Sequence, residues 1–374
     1  MKILIAMNSF KGTLSSEEAG CAVRKGVLRV FPDADIIEKR LADGGEGTIN
    51  ALLEEDMRVV KTDAHDPLGR MIKAPYLLKN NTAIMESAST IGLYLLKKQE
   101  RSPEMVSTYG LGEMILDAVS QGCREFIIGI GGTATNDGGA GMLRALGFRF
   151  LDEDGRELAP CCRELGRLAM IDTSSVHPLL KECTFRIACD VNNPLCGETG
   201  ASAVYGPQKG ADPAMVQRMD EALAHYAEIV RETFETADPQ YPGSGAAGGL
   251  GFAFRSFLKG ELIPGADLIL QRSGIPEALE EADLMITGEG RLDKQTLMGK
   301  GPGAAARMAA DKGVPVIAVC GRVDAPVYTD LFRAVYGTDT EGLTEEEIMN
   351  RDRAYARLAD TAEEALLEYR QETE

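Results

Sequence analysis

The stretch Ile127–Met142, read as IIGIGGTATNDGGAGM, constrains the fold of this chain more than any other. The apolar run Phe126-Ile127-Ile128 has the length and composition of a buried strand. It breaks into a glycine-rich turn from Gly129 to Gly139, and Ala140–Leu146 then reads as a helix. Free backbone N–H groups and the positive end of a helix dipole converge where such a turn enters a helix, which makes an anion site. Glycines let the backbone approach a phosphate and tolerate positive φ. Thr133, Thr135, Asn136 and Asp137 add hydroxyl, amide and carboxylate groups. Two other readings stay open for the loop alone: a tight structural connection, and a dinucleotide fingerprint formed by Gly129-x-Gly131-x-x-Ala134 with Asp152 and Asp154 further on.

The same pattern recurs along the chain. Lys2–Met7 reads as a strand running into Asn8-Ser9-Phe10-Lys11-Gly12-Thr13, and Ser15 or Ser16 caps a helix over Glu17–Val30, with Glu18 completing a capping box from Ser15. Ile36–Arg40 ends in a turn carrying Asp43 and Glu46, before a helix over Ile49–Glu55. Phe185–Cys189 ends at Asp190, and Leu284–Thr287 ends in Gly288-Glu289-Gly290, with Asp293, Gly299 and Lys300 close behind. Helix Gly303–Asp311 and strand Val314–Val319 follow, and Thr344–Glu374 is helical and charged. In open α/β sheets, ligands gather outside the carboxyl ends of the strands, so repeated polar turns there begin to specify a site.

The alternation of strand and helix gives way near Asp66 to adjacent strands, Ile72–Leu78 and Thr82–Met85. A second domain is therefore expected over 66–262, with 1–65 and 263–374 forming the first. Within the second, Leu111–Gln121 is an amphipathic helix, Leu151–Leu165 reads as a polar surface excursion, and Asp212 caps a helix that runs from Pro213 to about Thr236. Gly243-Ser244-Gly245-Ala246-Ala247-Gly248-Gly249 either cradles a ligand or packs a helix closely.

Two domains suit a chain of 374 residues. A formal net charge of −18 argues against nucleic-acid or anionic-membrane binding. A phosphorylated substrate would then be held by local basic groups, backbone N–H or Mg²⁺. Eight cysteines without CxxC spacing read as reduced thiols of a cytoplasmic protein, with Cys123 and Cys189 in the core. The start of the chain lacks the features of a signal peptide, and no apolar run reaches the ~20 residues of a membrane span. His65, His177 and His225 are too dispersed for a metal cluster or a His-based triad. Phosphoryl transfer needs donors on the phosphates, a carboxylate-bound Mg²⁺ and a base for the acceptor hydroxyl. The turns hold Asp43, Glu46, Asp137, Asp190, Glu289 and Asp293 beside Lys11, Arg70, Lys209 and Lys300, yet neither the Walker A pattern nor the protein-kinase catalytic-loop signature occurs. Residue types alone define a nucleotide- or phosphate-using α/β enzyme.

Taken together, Ser9–Gly12, Ala42–Thr48, Asp66–Arg70, Ile128–Met142, Ala188–Leu195, Gly206–Ala211, Gly243–Gly249 and Thr287–Thr296 with Gly299-Lys300 resemble the bacterial glycerate kinase type I family across nearly the whole chain. One departure is Asn8, where that family usually has Asp. The resemblance implies a discontinuous flavodoxin-like or Rossmann-like parallel-sheet domain with a second α/β domain inserted, and an active cleft between them. It also implies ATP-dependent phosphorylation of D-glycerate at the 2-hydroxyl, giving 2-phosphoglycerate. On that reading Gly131, Gly132 and Thr133 hold ATP phosphates, with Asn136, Gly288 and Lys300 as further nucleotide contacts. Lys11 neutralises the γ-phosphate, and Asp190, or second Asp43, is the general base. Ser9, Arg70 and Ser87 bind the substrate, Arg70 as a bidentate carboxylate clamp, while Glu289 and Asp293 hold Mg²⁺. Two rivals are a nicotinamide-dependent oxidoreductase and a catalytically silent two-lobed binder of a small hydroxy acid. A monomer and a homodimer are both compatible with the sequence.

Overall fold

The computed structural model describes residues 1–10, 12–41, 57–293, 296, 301–324, 331–338 and 340–373, which divide into two compact units. The first unit contains the start of the chain and Ala266–Glu374; the second runs through the middle of the chain to Gly265.

In chain order the elements used below are β1 (Lys2–Met7), α1 (Ser16–Val30), β2 (Asp35–Arg40), β3 (Arg58–His65), β4 (Met71–Lys79), β5 (Thr82–Glu86) and α2 (Ala88–Ile91). They continue with α3 (Tyr109–Ser120), β6 (Glu125–Gly129), α4 (Ala140–Ala145), β7 (Thr184–Ala188), α5 (Pro213–Thr233), α6 (Leu250–Leu258) and β8 (Glu261–Ile263). The last are β9 (Leu284–Gly288), α7 (Gly301–Asp311), β10 (Val316–Cys320), β11 (Ala334–Gly337) and α8 (Arg351–Thr373).

The first unit is built on a five-stranded sheet in the order β11-β10-β9-β1-β2, every pair parallel. Numbered within the unit this is 2-1-3-4-5, the flavodoxin order, whose direction reverses between β1 and β9. Both faces are covered, so β1 is apolar and buried from Ile3 to Met7, after Lys2 at its start. Ile3, Ile5 and Met7 pack with α1 and α8, whereas Leu4 and Ala6 pack with α7 and the helix Gly265–Leu270 on the other face. Ser15 accepts from the Glu18 N–H and the Glu18 side chain accepts from the Ser15 N–H, so the capping box that starts α1 is formed.

The second unit has a six-stranded sheet in the order β8-β7-β6-β5-β4-β3. The four strands from β8 to β5 are parallel, and β4 and β3 add an antiparallel edge. β3, which the sequence pattern puts before the domain crossing, is paired with β4 in this sheet. The core carries an aromatic cluster, with Phe126 stacked on Phe185 and Phe257 against Phe148, Phe234 and Tyr226. The segment Leu151–Leu165 is not the surface excursion its polarity suggests. Leu151, Leu158, Cys161, Cys162 and Leu165 are buried, because the polar residues of the turn alternate with anchors that enter this core. Cys123 is a core residue, while Cys189 is half-buried.

Candidate active site

Register in the second unit sets four strand ends side by side. Glu86 pairs with Gly129, Gly129 with Ala188, and Ala188 with Ile263. The residues that leave these ends are Ser87, Ile130–Thr133, Asp190 and Gly265.

The loop after β6 is held at its edges and open at its centre. Leu93 N–H donates to the Gly132 carbonyl at 2.9 Å, and Ala134 N–H donates to the Ile91 carbonyl at 2.8 Å. Between them Gly131 and Gly132 are exposed, and among the described residues no hydrogen bond engages the N–H of Gly131, Gly132 or Thr133. Gly132 has φ +73°, a conformation that costs glycine little. Gly131 and Gly132 offer unengaged amides at the surface, and that of Thr133 follows from a buried residue; successive free amides of this kind suit anionic oxygens. Beside them Ser87 is fully buried with its Oγ unpartnered, although its N–H donates to the Gly129 carbonyl. A buried hydroxyl without a partner is costly unless something supplies one, and an incoming oxygen-rich ligand is such a partner.

Asn136 and Asp137 turn the other way, into the core. Asn136 is fully buried, and its Nδ2 donates to Ser202 Oγ at 2.9 Å. Asp137 is also fully buried and accepts from the Thr108 N–H and hydroxyl, both at 2.8 Å, and from the Gly139 and Gly141 N–H groups, both at 3.2 Å. Burial outweighs the pull of these four donors and raises its pKa above the ordinary carboxylate range. Asp137 thus ties the loop to the starts of α3 and α4, and Asn136 ties it to the short helix Ala201–Tyr205.

The segment Gly243–Gly249 packs rather than cradles. Gly248 has φ +71° and lies so close to the loop that a Cβ would come within 2.2 Å of the Thr135 carbonyl, and Gly248 O accepts the Gly138 N–H at 2.9 Å. Close backbone approach, not ligand contact, explains these glycines.

Asp190 is exposed, and its Oδ1 accepts the Gly265 N–H at 2.6 Å. Arg70 closes the turn Asp66–Arg70. Its Nε bonds Asp66, a second nitrogen donates to Glu100 Oε1 at 3.0 Å, and a third donates to the Leu95 carbonyl at 3.0 Å. Three of its five N–H donors are thereby engaged within the protein.

Lys209 stands in the short helical turn Pro207–Lys209. It is 3% exposed, and its Nζ donates to the Thr135 carbonyl at 2.6 Å and to Thr133 Oγ1 at 3.3 Å. Sequence reasoning counted it only as one cation among several. The available signal was a lysine fixed between Pro207 and a Gly210 that adopts φ +101°.

In the first unit, the order of strand addition reverses between β1 and β9, beyond whose ends Ser9 and Glu289 follow. Asn8 N–H donates to the Gly288 carbonyl, and Asn8 Oδ1 accepts the Ser9 N–H at 2.8 Å. Gly288 is buried so tightly that a Cβ would meet the Val319 carbonyl at 1.8 Å, a packing requirement between β9 and β10. Glu289 and Asp293 share Thr296. Its hydroxyl donates to Glu289 Oε1 at 2.5 Å and accepts the Asp293 N–H at 3.2 Å. Among the described residues no three His, Cys, Asp or Glu side chains cluster as a metal site. Mg²⁺ commonly takes only one or two carboxylates together with phosphate oxygens, so the donor chemistry of this pair fits it. Lys11, Asp43, Glu46, Lys300 and the expected helix Ile49–Glu55 lie outside the described residues.

The dinucleotide alternative needs its acid at the end of a neighbouring parallel strand. Asp152 instead follows Arg149–Leu151, which pairs antiparallel with Met170–Asp172. Its carboxylate accepts from the Asp154 and Arg156 N–H groups and from Arg167. Among the described residues no helix is long and apolar enough to cross a membrane.

A flavodoxin-ordered parallel sheet in one unit and a mixed sheet with an exposed glycine loop in the other define a two-unit α/β protein. Comparison with known proteins narrows the class. The profile of the glycerate kinase family matches residues 3–370. Glycerate kinase of Halalkalibacterium halodurans is 45% identical over 324 residues, covering 85% of each chain. Glycerate 2-kinase of Escherichia coli is 41% identical over 324 residues, covering 86% of this chain and 85% of that one. A crystal structure described as that of a glycerate kinase 2 from Salmonella typhimurium LT2 superimposes with a TM-score of 0.87 at 39% identity, covering 100% of this chain and 99% of the other. The chain belongs to the glycerate kinase family.

Proposed function

We propose that this protein transfers the γ-phosphoryl group of ATP to the 2-hydroxyl of D-glycerate, giving 2-phospho-D-glycerate and ADP. The family supplies the reaction class, and the 2-hydroxyl is favoured by the E. coli relative named glycerate 2-kinase. The observation that carries the reading is the set of unengaged N–H groups at Gly131, Gly132 and Thr133 beside the unpartnered hydroxyl of Ser87. The amides hold phosphate oxygens, and Ser87 contributes a hydrogen bond to the bound substrate. Asp190, at the end of the adjacent strand β7, takes the proton of the acceptor hydroxyl. Arg70 uses its remaining N–H donors on the glycerate carboxylate. Glu289 and Asp293 are the described side chains that would hold Mg²⁺, whose chemistry when bound is to neutralise phosphate charge. Lys11, Asp43 and Lys300 retain the roles inferred from sequence, and Asn136 and Gly288 act by supporting the loops that carry the contacts.

The reading is tested by an ATP-dependent assay on D-glycerate coupled through enolase, with and without phosphoglycerate mutase. Signal without the mutase is expected. Signal only with it would make the 3-hydroxyl the acceptor, and no signal in either case would refute the kinase assignment.

A further inference from the structure

Lys209 is a buried ammonium with no counter-charge bonded to it among the described residues. Its hydrogen-bond partners, the Thr135 carbonyl and the Thr133 hydroxyl, are neutral. The carboxylate acting on it through space, Asp137, is already filled by four other donors. Burying an ammonium away from water without a bonded counter-charge is destabilising. A methionine of similar length would occupy the space without that cost, so folding alone does not account for a cation here. The position accounts for it. Lys209 reaches Thr133 and Thr135 from the interior, while Gly131 and Gly132 of the same loop face outward with unengaged N–H groups. Because Thr133 Oγ1 accepts from Lys209, its own proton is left to donate.

We infer that Lys209 is a positioning residue for the phosphate chain of the ligand: it fixes Thr133 and Thr135 from within the loop, and its uncompensated charge is met by the anion the loop receives. The inference rests on the proposed phosphate-binding reading of that loop.

The test uses the full chain with Lys209→Met and Gly132→Ala. Melting temperature is measured together with affinity for ATP and for adenosine, which lacks phosphates. Lys209→Met should melt at or above the wild-type temperature yet bind ATP at least about tenfold more weakly, with adenosine affinity unchanged. Gly132→Ala should also weaken ATP, because alanine is strained at φ +73°. A Lys209→Met protein that melts lower and loses ATP and adenosine binding alike would overturn the inference in favour of a structural lysine. Weakened ATP binding in Gly132→Ala with normal binding in Lys209→Met would remove the role of Lys209 alone. Normal ATP binding in both would remove the phosphate reading of the loop as well.

Discussion

The hydroxyl of Thr108 and the carboxylate of Asp137 hold one another in a single orientation: Thr108 Oγ1 donates to Asp137 Oδ2 at 2.8 Å while accepting the Met142 N–H, also at 2.8 Å. The hydroxyl has one proton, and it is committed to Asp137. The other three partners of Asp137 are N–H donors, so the carboxylate faces donors only. Asp137→Asn would turn an NH₂ group toward them. It should cost about 2–4 kcal/mol of unfolding free energy, measured by urea denaturation. A loss below about 0.5 kcal/mol would show that the four bonds are not the lock described.

Ser87 has the opposite signature. Its hydroxyl is buried and has no partner among the described residues, so Ser87→Ala removes an unsatisfied group and should leave the melting temperature unchanged or slightly raised. Its absence should be felt by the ligand, with kcat/KM falling about tenfold. Unchanged kcat/KM would remove Ser87 from the site.

Asp190 carries two roles that one substitution separates. Asn keeps an oxygen for the Gly265 N–H, which Asp190 Oδ1 now accepts at 2.6 Å, but cannot serve as a base. Asp190→Asn should therefore retain its melting temperature while kcat drops by about 10²–10⁴. Near-normal kcat would restrict Asp190 to the turn it caps.

The pH dependence of stability gives Lys209 a separate test. Burial lowers its pKa from 10.5 to about 8, with Asp137 the charged group that opposes the shift. Between these values the unfolded chain binds a proton that the native protein does not, so this group makes stability rise with pH across that window. Below about pH 8 the full cost of burying the ammonium is present. Lys209→Met should thus be more stable than wild type at pH 7, with the advantage shrinking by pH 9.5. Urea titrations at both pH values check this, and an advantage that is constant or grows with pH would contradict it.

Much of the fold was legible because local patterns and tertiary demands agree. The apolar run Ile3–Met7 of β1 reads as a strand buried on both faces, and the Ser15–Glu18 box marks the start of α1. Asp212 and Pro213 mark the start of α5 in the same way. The site was legible at the level of which loops matter, since glycines at strand ends announce close approach. Direction was not legible. Nothing in the run from Gly131 to Asp137 says that Asn136 and Asp137 are buried while Gly131 and Gly132 stay exposed, because long-range partners such as Ser202 and Thr108 decide it. The ambiguity of Gly243–Gly249 had the same cause, since its reason is the Thr135 carbonyl, distant in sequence. Lys209 reads in sequence as one cation among several in these turns, because its two partners lie far from it in the chain.

The central claim is that phosphate oxygens occupy the unengaged amides of Gly131, Gly132 and Thr133. Residue-resolved amide hydrogen exchange, with and without a non-hydrolysable ATP analogue, addresses it most directly. Slowed exchange at these three amides, with Gly138 and Ala134, already bonded to carbonyls, little changed, is the predicted result. Binding of the analogue with no protection at the loop would contradict it.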